Sequence, residues 1–281
     1  MLSEPLSLLV LLAALAIVVL APAFHYHQFG EATRMARDAA FSSLFACGGV
    51  FAAVGTIRAF RREIESGTLE MALAHPISRA AFFLAKTAGA LTAYLVFAAI
   101  VLFTGLTIVE GAAVGGEIAR KTGDIARLWG PCFAAGVAVA VVPLVLGAAL
   151  NRFARCRFVV SAFAGAFVLS ALAAVWTAFR DARLVVRFLP VAVPVIVLTA
   201  ALLTAAAAFS VRWRANAAAA AVAVTALAFF PLIGNYYLPD ALANGGAVSG
   251  TYVALAALAM LPAFLLFALI GLHFVQGRDV T

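Results

Sequence analysis

Charge is scarce in this 281-residue chain: 11% of its residues are Asp, Glu, Lys or Arg, against 66% hydrophobic. A soluble globular domain carries about 25% charged and about 45–50% apolar residues, so a fold whose whole exterior faces water is excluded. Cysteine is scarce too. Cys47, Cys132 and Cys156 lie in or beside separate apolar runs, with no CxxC or Cys/His spacing. That implies neither a disulfide framework nor a zinc site, and they are read as small packing residues. There is no G-x-x-x-x-G-K-[ST]; the nearest string, GGEIARKTG at 115–123, lacks the glycine spacing of a phosphate-binding loop. Neither G-x-S-x-G nor H-E-x-x-H occurs. The chain is therefore not expected to be an enzyme or to bind a cofactor of its own.

What fills the sequence instead is apolar runs. Hydrocarbon about 30 Å thick needs about 20 helical residues at roughly 1.5 Å each. Eight runs qualify: Leu6–Phe24, Ala39–Ile57, Phe82–Val109, Leu128–Leu150, Phe158–Phe179, Phe188–Ser210, Ala217–Ile233 and Tyr252–Phe274. They lack the alternation of a membrane barrel, which favours helices. The expectation is an all-α, polytopic membrane protein forming a single transmembrane domain over residues 1–281. It has about eight transmembrane helices, with six plus interfacial helices as the alternative. The APA at 21–23 imitates a cleavage site, but no Lys or Arg precedes the first run, which is read as an uncleaved helix.

If the N-terminus is cytoplasmic, eleven of the nineteen basic residues fall on the cytoplasmic side or, as Lys86, at its edge, and both termini are cytoplasmic. The remaining eight include Arg180, Arg183 and Arg187 in FRDARLVVRF. That segment reads either as an outward connection or as part of an amphipathic piece lying in the interface. The net charge of +7 is spread over short loops, so membrane anchoring rather than nucleic-acid binding is expected. No run has a charge near its centre, whereas ion-coupled carriers hold a carboxylate, His or Lys within the membrane. The driving energy is expected to come from elsewhere.

The exception to the scarcity of charge is RREIESGTLEMALAHPISRAAFFLAK, residues 61–86, between the second and third runs. Arg58, Arg61 and Arg62 suit a helix C-terminus at a cytoplasmic face. Gly67 is a permissible N-cap with Glu70 three residues later, signalling a new helix. Leu69 and Leu73 share one face of it. Pro76 ends it, and Ser78 can cap the next membrane helix. From pattern alone this is either a re-entry hairpin or a docking surface.

The order and spacing of Glu63, Glu65, Gly67, Thr68, Leu69, Glu70, Leu73, Pro76, Ser78, Arg79 and Lys86 resemble the first cytoplasmic loop of type-2 ABC exporter permeases. The loop is read here at about residues 58–81. The resemblance implies a coupling helix seated in the cleft of a separate cytoplasmic ABC ATPase, which binds ATP and Mg. It implies docking by Glu63, Ile64, Glu65, Gly67, Thr68, Leu69, Glu70 and Leu73, with Pro76, Ser78 and Arg79 shaping the loop. It also implies a second permease copy or homologue as partner, the lipid bilayer as surroundings, export of a cargo, and a cell inner membrane location. The alternative is a membrane scaffold that recruits a cytoplasmic partner without transport. His25 and His27 in FHYHQFG are too few to complete a metal site and are read as loop residues.

Overall fold

The computed structural model describes residues 2, 4–21, 32–66, 78–122, 131–236 and 250–276. Among them are eight helices and no strand: α1 (Pro5–Leu20), α2 (Ala32–Glu65), α3 (Arg79–Thr122), α4 (Pro131–Ala154), α5 (Phe158–Arg180), α6 (Ala182–Arg212), α7 (Ala215–Tyr236) and α8 (Gly250–Gln276). Six of these, α2 to α6 and α8, are long and apolar enough to cross a membrane. The apolar stretches Pro5–Leu20 and Ala215–Leu227 are shorter. The all-α expectation holds, and each described helix overlaps one of the eight apolar runs.

Three helices form the centre. Phe41 of α2 stacks on Phe188 of α6 at 5.0 Å, and Gly49 of α2 lies beside Thr199 of α6, so these two run parallel. Helix α3 runs against them. Its Gly105 faces Ala40 and its Phe97 stacks on Phe51 at 4.7 Å. A Cβ on Gly105 would lie 2.6 Å from that of Ala40, so only glycine admits this approach of α2 to α3. The inner half of α6, residues 199–208, is buried on every side and carries mostly Ala and Thr. Small residues let surrounding helices close in where hydrocarbon provides no hydrophobic drive.

The other helices clad this centre. Helix α1 packs on α2 and α3, the α4–α5 hairpin on α3, and α7 and α8 on α6. Exposed Val and Leu side chains such as Val145, Leu172 and Leu265 cover α4, α5 and α8. In a bilayer these are the favoured exterior, because the surrounding solvent is itself hydrocarbon.

Two expectations are refined. FRDARLVVRF is the corner between α5 and α6, with Asp181 alone between the helices; its Oδ1 accepts from Arg183 N and Leu184 N at 3.0 and 3.1 Å and caps α6. The segment is thus a connection, and its last residues open a helix that continues unbroken to Arg212. The third apolar run was read as ending at Val109, yet α3 continues through the glycines at 111, 115 and 116 to Thr122. Scattered glycines lower helix propensity by about 1 kcal/mol each without setting a boundary.

At mid-bundle, Tyr94 Oη donates to Thr199 Oγ1 at 2.7 Å and joins α3 to α6, with Tyr94 fully buried. Tyr94→Phe is expected to lower stability by about 1 kcal/mol, read as a lower melting temperature in detergent with helical content unchanged.

Candidate functional site

The helix directions gather α1's start, α2's end, α3's start and the last turns of α6 and α8 at one face. Here the charged stretch leaves the bundle. Its base is tightly built. Phe60 near the end of α2 and Phe83 near the start of α3 pack at 5.8 Å and share a buried cluster with Ala207, Val211 and Val275. Above this cluster Lys86 Nζ pairs with Glu63 Oε1 across the two helices. The ammonium also lies 5.5 Å from the Phe60 ring centre and 5.9 Å from that of Phe82. Half-sequestered by aromatic faces, this ion pair is less screened than a surface pair.

Further contacts fix the surroundings. Ser78 Oγ accepts from Ala81 N at 3.1 Å, the cap expected from sequence. Arg79 Nη1 donates to Gln276 O at 3.3 Å, tying α3's first residue to α8's last. Arg58 lies 3.7 Å from Glu4 of α1's approach. Arg61 binds Glu65 one turn on, at 2.9 Å from Nη2 and 3.2 Å from Nε. Four helices are therefore stitched at the point where the loop begins and ends.

The expected docking residues divide accordingly. Glu63 and Ile64 are half-buried in α2's last turn, with Glu63 engaged by Lys86. Glu65 is the open one, its side chain 64% exposed. Gly67, Thr68, Leu69, Glu70, Leu73 and Pro76 lie outside the described residues, as do His25 and His27. Among the described residues no group of three or more His, Cys, Asp or Glu could hold a metal.

The sequence reading missed the Glu63–Lys86 pair, treating the carboxylate as a docking group and placing the lysine at the membrane edge. Glu63 lies two residues before the end of α2 and Lys86 seven after the start of α3, so no matching of positions about the loop signalled the pair. It also missed that Glu110, one residue past the third apolar run, is buried in α3 against Arg180 of α5 at 3.2 Å.

Residues 7–248 match the family described as ABC-2 family transporter protein. No curated protein and no solved structure matches the chain.

Proposed function

We propose, since the chain belongs to the ABC-2 transporter family and is the membrane permease component of an ABC transporter, that it exports its cargo across a cell inner membrane. Two such halves form the path, and each is driven by a cytoplasmic ATPase gripping the loop between α2 and α3. The ATPase holds ATP and Mg; this chain supplies the lever. The observation carrying the reading is the stitched base of that loop, where Phe60, Phe83, Glu63 and Lys86 join α2 to α3.

A loop flanked by two independent helices would yield to a pull by flexing. A loop whose two roots are locked by a buried aromatic pair and an ion pair moves its helices together. Arg79 passes the displacement to α8, while Phe60 and Phe83 pass it to α6 through Ala207 and Val211. A partner shifts a two-state membrane part only by binding one state more tightly than the other. Glu65, exposed at the loop's root, and Glu70, which follows it in the sequence outside the described residues, are the carboxylates assigned to this partner by the resemblance.

Charge reversal tests this. Glu65→Lys combined with Glu70→Lys is expected to cut permease-stimulated ATP hydrolysis in liposomes by about tenfold or more, since unpairing charges at an interface costs at least that much. Membrane insertion should be unchanged. Undiminished stimulation would exclude these residues from docking, and binding of the ATPase with no cargo movement would favour a scaffold.

A further inference from the structure

Glu110 is only 5% exposed, yet just one of its oxygens is engaged. Oε1 meets Arg180 Nε at 3.2 Å, while Oε2 is buried with no hydrogen-bond partner among the described residues. Thr177 Oγ1, one turn before Arg180 on α5 and fully buried, is likewise without a partner. Unmet buried polar atoms are costly, and an Ala or Leu at either position would avoid the cost.

Depth indicates what meets them. Lys86 and Glu110 are 24 positions apart on the unbroken α3, about 36 Å along the axis. Hydrocarbon is about 30 Å thick. With Lys86 at one boundary, Glu110 stands at headgroup level on the other. There α5 ends with Trp176 and Phe179 exposed by 63% and 86%, immediately before Arg180. Arg180, its side chain 45% exposed, meets Glu110 through Nε, and no hydrogen bond ties its terminal nitrogens to a described residue.

From the hydrocarbon inward, the order is therefore an aromatic surface, a guanidinium with free donors, and a carboxylate oxygen lacking a donor. A guanidinium suits phosphate, and a carboxylate suits an N–H donor. Arginines outnumber carboxylates at this corner, where Arg183 and Arg187 follow Asp181, so an isolated cation is disfavoured and a zwitterion is not. The geometry points to a binding site for an aminophospholipid, with phosphate on Arg180, the primary ammonium on Glu110 Oε2, and acyl chains along Trp176 and Phe179. This assignment does not depend on how the ATPase docks.

The test uses the full chain carrying Trp129→Phe and Trp213→Phe, so that Trp176 alone reports. In phosphatidylcholine nanodiscs, brominated-chain test lipids are titrated and Trp176 quenching is followed. Brominated phosphatidylethanolamine is expected to reach half-maximal quenching at about a tenfold lower mole fraction than brominated phosphatidylcholine, as a hydrogen bond to a charged group implies. The mono- and dimethylated headgroups should fall between. Glu110→Gln should bring the two curves together. Coincident curves in the unsubstituted site, or phosphatidylglycerol matching phosphatidylethanolamine, would overturn the proposal without reliance on that variant. Free phosphoethanolamine should not relieve the quenching; relief would assign the site to a soluble ligand and overturn the lipid reading.

Discussion

Gly271→Leu is expected to unfold or dislodge α8, in the largest stability loss of any single substitution considered. A Cβ at this position would lie 2.2 Å from Phe83 Cζ and 2.9 Å from both Cε atoms. Phe83 has no room to retreat, being fully buried against Phe60 and within the Ala207–Val211–Val275 cluster. Overpacking a filled core costs about 1–3 kcal/mol, and here the extra atoms also separate the ends held by Arg79 and Gln276. Melting of the detergent-solubilised chain should show a clear drop. Phe83→Ala in the same chain should restore part of it, giving a coupling in the double-mutant cycle that distant sites do not show. Additive losses would mean that the contact between α8 and α3 is not the cause.

Lys86→Glu is expected to have the largest effect on coupling among the described residues. It places two carboxylates opposite each other where an ion pair stood, with the Lys86 side chain 15% exposed and that of Glu63 38%. Repulsion would part the ends of α2 and α3 while leaving the aromatic cluster beneath to hold the bundle. ATP hydrolysis stimulated by the permease should fall about tenfold, as expected from about 1.4 kcal/mol of lost pairing. The reversed pair, Lys86→Glu with Glu63→Lys, should recover most of it. If the single and the reversed variants are equally defective, Lys86 acts through its chemistry at another group and not through Glu63.

How much of this could be read beforehand depends on range. Helix positions followed from run length, because a lipid-facing chain must satisfy every backbone group within the segment. The Ser78 cap was legible because capping acts over three residues, as the Ala81 N bond confirms. Burial of α6 was not legible: its Ala-rich run from 199 to 208 looks like any other apolar segment, and only the packing of α2, α3 and α8 makes it central. Glu110 and Arg180 are 70 positions apart, and nothing local links them. The loop residues from Gly67 to Pro76 rest on motif and resemblance alone, outside the described residues.

The lever itself is tested most directly by cross-linking. In a chain with Cys47, Cys132 and Cys156 replaced by Ser, Glu65→Cys and, separately, Glu70→Cys would be probed in sealed membrane vesicles holding the assembled transporter. A bond to the ATPase subunit, formed from the cytoplasmic side and changing in yield when ATP is trapped, is the outcome the lever requires. Cysteines that react only from the opposite side of the membrane, or that never reach the ATPase in an assembly that hydrolyses ATP, would contradict it.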